Sequence, residues 1–172
     1  MTFWDGFNKL ASEMPPLGKG HKMLYLDLDG VLADFEGRVR QLGIKDLRNT
    51  PPATLWKLVD STENFWATLP WTSDGKVLWH YVRKFSPTIL TAPSRNPSSR
   101  VGKRAWVDKQ IGLSVPVVFS PKMEKHYYSG PKAILVDDQI SNIRQWTDAG
   151  GIGILHTSAA NTIQKLRPLL EG

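Results

Sequence analysis

"KMLYLDLDGVLADF", residues 22–35, is the stretch whose reading decides the fold. Four of the six residues from Met23 to Leu28 are apolar, a run too short for a helix and suited to a buried strand. Asp27 and Asp29 then appear with Gly30 behind them. Alternation along a strand sends both carboxylates to one side and Leu28 to the other. Two carboxylates this close repel each other unless a cation or a proton compensates. The stretch is open to three readings: a solvated strand end, a turn, or an acidic site that holds a cation and a phosphate.

Four further apolar segments have strand length: "PTILT" (87–91), "VPVVFS" (115–120), "AILVDD" (133–138) and "GIGILH" (151–156). Helical patterns lie between and after them. Residues 94–112 begin near Asn-Pro and close on Gly112. Residues 139–151 put Ile140, Ile143 and Thr147 on one side and end at Gly150, and residues 158–170 place Ile163, Leu166 and Leu170 similarly. Strands alternating with helices predict an α/β protein, a Rossmann-like three-layer parallel sheet with helices on both faces. Such sheets bind ligands beyond the carboxyl ends of their strands, at a topological switch point. The first strand here ends in Asp27 and Asp29, the second in Thr91 and the fourth in Asp137 and Asp138. A second acid pair about 110 residues after the first makes a chance turn a much weaker explanation.

About sixty residues separate the first two strands, far more than the dozen or so that a parallel crossover needs. They include "NTPPATLWKLVDSTENFWATLPW" (49–71), broken at Pro51-Pro52 and near Pro70. This predicts a small helical cap inserted after the first strand. The expected organisation is an N-terminal helix and linker over 1–20, a core made of 21–35 and 86–172, and a cap over 36–85. Trp56, Phe65, Trp66 and Trp71 crowd the insert, either as its core or as a stacking surface for a flat ligand. The N-terminal "MTFWDGFNKLASEM" places Phe3, Phe7, Leu10 and Met14 near one helical face, expected to pack on the domain, and "PPLGKG" (15–20) reads as a linker. That N-terminus lacks a basic region followed by an apolar one, and Asp5 and Glu13 argue against a transit peptide.

Composition narrows the chemistry. The 172 residues include no cysteine, which excludes disulfides, thiolate metal sites and a cysteine nucleophile, and fits the reducing cytoplasm. No apolar run approaches the length of a membrane span. A net charge of +6 points to an anionic ligand, small phosphates or nucleic acid, although the basic residues are scattered. His21, His80 and His156 show no ligand spacing and are read as surface or edge residues.

The candidate metal ligands are Asp27, Asp29, Asp137 and Asp138, and Mg²⁺ is the expected cofactor because it takes oxygen ligands. A carboxylate can itself attack phosphorus, giving an aspartyl-phosphate. A second acid two residues on can protonate the leaving oxygen and then take the proton of the attacking water. This division makes Asp27 the candidate nucleophile and Asp29 the candidate acid/base. Phosphate also needs donors. Thr91 and Lys103 are the candidates, with Lys122, Lys125 and His126 after the third strand as further cations.

These motifs resemble the haloacid dehalogenase superfamily of phosphohydrolases. "DLDGVLADF" is similar to its first motif, "ILTAPS" to the second, "GKRAWVDKQIG" to the lysine-bearing third and "AILVDDQ" to the fourth. The likeness covers most of residues 22–157. Within the superfamily the chain resembles the 5′(3′)-deoxyribonucleotidases in "DGVLADF", "NFWATLP", "TAP", "KRAWV", "EKH" and "LVDD". The resemblance implies Mg²⁺-dependent dephosphorylation of a small substrate, a deoxynucleoside monophosphate. It makes Asp27 the nucleophile, Asp29 the acid/base and Asp137 a metal ligand, with Thr91 and Lys103 on the phosphate. It places Phe35, Phe65, Trp66 and Lys125 on the substrate. Ala92 stands where that family has Ser and Gln139 where it has Arg, which removes polar contacts that bear on specificity. The second half of the chain also resembles the phosphatase part of phage-type polynucleotide kinase-phosphatases, which implies nucleic-acid 3′-ends as an alternative substrate. A non-catalytic phosphate-binding module is the third alternative.

Overall fold

A computed structural model describes residues 22–172, so the expected N-terminal helix, the linker and His21 lie outside the described residues. Each of the five apolar segments forms a strand: β1 (Met23–Leu26), β2 (Thr88–Thr91), β3 (Val117–Phe119), β4 (Ala133–Asp137) and β5 (Ile152–Leu155). All pairings are parallel, in the order β3-β2-β1-β4-β5. The helices are α1 (Phe35–Gln41), α2 (Pro52–Ser61), α3 (Gly75–Val82), α4 (Ser98–Gln110), α5 (Ile140–Asp148) and α6 (Ala159–Leu170). Short 3-10 segments occupy Trp66–Thr68, Arg83–Phe85 and Lys122–Tyr128.

The strands are apolar runs without polar alternation because both faces of the sheet are covered. Leu24, Leu26, Ile89, Ile134 and Val136 face one layer, where Leu78 and Val82 of α3, Trp106 and Val107 of α4, and Leu166 of α6 close the core. Tyr25, Leu90 and Leu135 face the other, packed on Ile143 and Trp146 of α5. The switch of face at every residue is the pleat read directly from the sequence. Helix ends follow local chemistry. The Asp34 carboxylate accepts from the Gly37 N–H at the start of α1, and Ser158 caps α6 by accepting from the Asn161 N–H. After α4 the chain leaves through Gly112 at φ +125°, a left-handed conformation that suits glycine.

The segment read as a cap divides in its packing. Phe65, Trp66 and Leu69 are buried with the sheet residues, and α3 packs on α6. Trp66–Thr68 lies along α4, where Gly102 permits contact: a Cβ there would sit 2.6 Å from Trp66 Cβ. The Trp106 indole N–H donates to the Leu69 carbonyl at 2.8 Å. Residues 35–61 instead run through α1 and α2, with Phe35 and Trp56 in ring contact.

Trp106 therefore joins the insert to the sheet. Truncation by Trp106→Ala is expected to cost about 3–5 kcal/mol of folding stability, read as a lowered urea midpoint. A loss below about 1 kcal/mol would show that this contact is not structural.

Candidate active site

The strand order places a switch point at β1 and β4, because the chain runs outward from β1 to β2 and β3 and then returns to β4 on the other side. Leu26 pairs with Val136, and the Asp27 N–H donates to the Val136 carbonyl at 2.9 Å, so continuing the register sets Asp27 beside Asp137. The chain then turns back sharply, with the Leu32 and Ala33 N–H groups both donating to the Leu28 carbonyl. Gly30 makes the turn at φ +81°, and a Cβ on it would lie 2.4 Å from Asp138 Oδ2. Only glycine meets both demands, the backbone angle and the close approach of the second acid pair.

Lys125 is buried between the two strand ends. Its ammonium lies 2.9 Å from Asp27 Oδ1 and 2.8 Å from Asp137 Oδ2. Asp27 Oδ1 also accepts from the Leu28 N–H at 2.8 Å. Asp137 accepts from the Gln139 N–H and from Asn142 Nδ2, each at 2.8 Å. One oxygen from each of Asp27, Asp137 and Asp138 lies within 4.8 Å of the others. Three carboxylates thus face one ammonium, a formal deficit of two positive charges. Burial pushes the Asp27 carboxyl up to about 7; Lys125 opposes the shift, while Asp137 and Asp29 add to it. Burial also raises Asp138. Burial works against the charge on Lys125, but Asp27 and Asp137 outweigh it and raise its pKa. An all-oxygen donor set short of two charges fits Mg²⁺.

Asp29 has a different environment. Its Oδ2 pairs with the Lys103 ammonium, while its Oδ1 is buried with no partner. Lys103 also donates to the Ala92 carbonyl at 2.6 Å and to Thr91 Oγ1 at 3.2 Å, and sits 4.6 Å from the centre of the Trp66 ring. An ammonium has three N–H donors, so these three acceptors use them all. Lys103, expected on the phosphate, is thus engaged by Asp29 and the end of β2. Asp29, expected among the metal ligands, stands outside the group of three acids because Lys103 claims its carboxylate.

A pocket of about 620 Å³ opens over these groups, bordered by Asp27, Asp29, Asp138, Lys122, Lys125 and Phe35 among others. Phe35 forms part of the wall. Phe65 and Trp66 do not: they are 2% and 5% exposed and lie behind Phe35, with ring centres 5.6 and 5.5 Å from it. Their faces are taken up by packing, so neither offers a surface to a ligand. Thr91 is fully buried and does not line the pocket, whereas its neighbour Ala92 does. His156, read as a surface or edge residue, is buried, with Nδ1 2.8 Å from Thr162 Oγ1, and burial lowers its pKa.

Sequence reading missed Asn142. It lies four residues after Asp138, one helical turn on, which is the spacing that brings a side chain back beneath the acids. It holds Asp137 with Nδ2 and leaves a buried Oδ1 without a partner. Asp34, Thr72 and Ser73 also border the pocket; no local pattern marks them.

No family model and no curated protein matches the sequence. Solved structures do. A HAD family hydrolase from Deinococcus radiodurans R1, with bound phosphate and sodium, superposes with a TM-score of 0.55 at 10% identity, covering 88% of this chain and 97% of that one. A HAD-superfamily hydrolase from Ehrlichia chaffeensis gives 0.51 at 14% identity, covering 89% and 99%. A hydrolase from Streptococcus pneumoniae TIGR4 gives 0.51 at 16% identity, covering 86% and 98%. The chain has the fold of the haloacid dehalogenase-type hydrolases. At these identities the likeness is one of architecture.

Two outcomes test the site. Asp27 binds its proton more tightly folded than unfolded, because its pKa is raised from 3.8 to about 7. Its contribution is therefore full below about pH 4 and lost as pH rises through about 7. The melting temperature of metal-free protein should fall across that window, and Asp27→Asn should flatten the fall. An equal fall in both proteins would remove Asp27 as its source. Gly30→Ala should displace Asp138 and weaken Mg²⁺ binding by roughly tenfold or more, measured by calorimetry; unchanged affinity would mean the turn adapts.

Proposed function

We propose that this protein is a Mg²⁺-dependent phosphomonoesterase that hydrolyses (deoxy)nucleoside monophosphates through an aspartyl-phosphate on Asp27. The observation that carries this reading is the contrast between two neighbouring carboxylates. Asp27 lies within the charge-deficient cluster with Asp137 and Asp138, whereas Asp29 is tied to Lys103. Burial raises Asp27 to about 7 in the metal-free site, and a cation bound among the three acids would ionise it and leave it free to attack, while Asp29, outside that group, is left to move protons.

Asp27 Oδ1 is anchored by Leu28 and Lys125, so Oδ2 is the oxygen left to attack. It forms a bond to phosphorus as the ester P–O bond breaks. Asp29, protonated on its unpartnered Oδ1, gives that proton to the leaving alkoxide and becomes a carboxylate neutralised by Lys103. In the second half-reaction Asp29 takes a proton from water, the water oxygen bonds phosphorus, and the Asp27 acyl–phosphate bond breaks to release orthophosphate. Mg²⁺ held by Asp27, Asp137 and Asp138 would neutralise charge on the phosphoryl oxygens. Lys125 keeps Asp27 oriented, and Asn142 does the same for Asp137. Lys122 at the rim adds positive charge for an anionic substrate.

The pocket of about 620 Å³ suits a small molecule rather than a bare phosphate. Phe35 and Leu47 supply an apolar wall for a base, and residues 36–61 form the part of the insert that acts as a cap. The deoxyribonucleotidase-like motifs point to the same substrate class.

Phosphate release from a panel of nucleoside monophosphates, beside a 3′-phosphorylated oligonucleotide, tests the reading directly. Mononucleotides should be preferred; faster release from the oligonucleotide would install a polynucleotide 3′-phosphatase instead. Asp27→Asn should lower turnover by at least about a thousandfold without unfolding the protein. Chelation should silence activity until Mg²⁺ is restored, and full activity in chelator would sink the metal assignment. Phe35→Ala should raise KM for nucleotides roughly tenfold and leave that for a small phosphoester nearly unchanged; equal effects would make Phe35 structural only.

A further inference from the structure

A second cleft, of about 280 Å³, opens beside α3 and the end of α4, lined by Trp71, Lys76, Trp79, His80, Arg83 and Gln110. It shares no lining residue with the acidic pocket. Lys76, Trp79, His80 and Arg83 follow helical spacing of three and four, so they share one face, while Leu78 and Val82 point into the core. A polar helix face is ordinarily just solvated. This one carries a half-buried tryptophan among cations and faces a second tryptophan.

Trp71 is held in place. Its ring packs on Trp106 with centroids 5.0 Å apart, and its indole N–H donates to Gln110 Oε1 at 2.9 Å. Lys76 Nζ lies 5.9 Å from the centre of the Trp71 ring. Among the described residues, Lys76, His80 and Arg83 form no ion pair, and the Gln110 amide N–H groups have no partner. The acids that flank the cleft in sequence are engaged elsewhere: Asp74 accepts from the Ala159 N–H, and Asp108 pairs with Arg104. No acidic residue lines the cleft. Aromatic surface, unpaired cations and a free amide thus converge in one small space.

We propose that this cleft binds a nucleotide unit. A base packs against Trp71 and Trp79, Gln110 donates to its edge, and Lys76 and Arg83 hold its phosphate. Each element answers one part of the ligand: stacking is tolerant of base identity, and cations follow the backbone charge. The +6 net charge favours the approach of such an anion. The chemistry is shared by a free nucleotide and by one nucleotide within a strand. The site is independent of the reaction proposed for the acidic pocket. Consecutive residues on the extended segment that bridges to Ala33 separate the two, since Trp71 lines this cleft and Thr72 the other.

The test uses the full chain carrying Asp27→Asn, titrated with AMP and with a short deoxythymidine oligonucleotide that has hydroxyl groups at both ends. The oligonucleotide offers no phosphomonoester to the acidic pocket. The Trp71 and Trp79 indole N–H resonances should shift on saturation. Adding Lys76→Glu and Arg83→Glu, both at exposed positions, should weaken binding by about tenfold or more. With Asp27 restored, the same charge reversals should leave hydrolysis of a small phosphoester unchanged. Tighter binding of the oligonucleotide assigns a strand, with a log–log salt slope near −1.4 for two phosphate contacts; tighter binding of AMP assigns a free nucleotide. Silent indole resonances, equal shifts with orthophosphate alone, or affinity indifferent to charge reversal would each overturn the proposal.

Discussion

A single ammonium, that of Lys125, lies between the carboxylates of Asp27 and Asp137 in the interior of the protein. Taking charges out of water costs several kcal/mol per ion, even after relaxation. The neighbouring main chain and side chains are arranged around that cost: the Leu28 and Gln139 N–H groups and the Asn142 amide all donate to these two acids. Even so the balance is incomplete, because Asp138 adds a third carboxylate to the cluster. A fold optimised for stability alone would not bury this deficit. The strain is concentrated where a divalent cation can relieve it, the place where local rules are expected to yield to function.

A second lysine separates the two aspartates of the first turn. Lys103 closes on Asp29 and the end of β2, so the two acids, although only two residues apart, answer to different cations. The arrangement rests on aromatic packing. Trp66 lies beneath Lys103 and stacks on Phe35, which borders the pocket. One aromatic group therefore supports both the cation that holds Asp29 and the wall of the pocket. Losing Trp66 would disturb acid and wall together, and the two effects could not be read as loss of a stacking surface.

The sheet was legible because strands buried on both faces are continuous apolar runs, and these runs are too short for helices. The acids at its centre were legible because strand ends at a switch point are where ligands bind. What a lysine touches was not. Its charge is evident from the residue type, but its partner depends on helices and strands that meet only in the fold, so Lys103 and Lys125 exchange the emphasis the motifs suggested. Phe65 and Trp66 illustrate a second limit. An aromatic residue looks the same in sequence whether its face is spent on packing or offered to a ligand, and only Gly102 marked how closely α4 approaches them. His156 illustrates a third, since Thr162, one turn into α6, satisfies its buried ring nitrogen.

The insert is anchored where it returns toward the sheet. Leu69 is fixed by the Trp106 indole, the Pro70 carbonyl accepts from the Asp34 N–H at 2.8 Å, and Thr72 bonds the Leu32 and Val31 carbonyls, each at 2.9 Å. Three hydrogen bonds at Pro70 and Thr72 stitch this segment to the turn that carries Asp29 and Gly30, and a fourth ties Leu69 to α4. Loops are usually the mobile part of a site, but this one is tied down at its base. The geometry of the acids is therefore set by the sheet and this stitched segment together, whereas Phe35, Glu36 and Leu47 border the pocket from outside both.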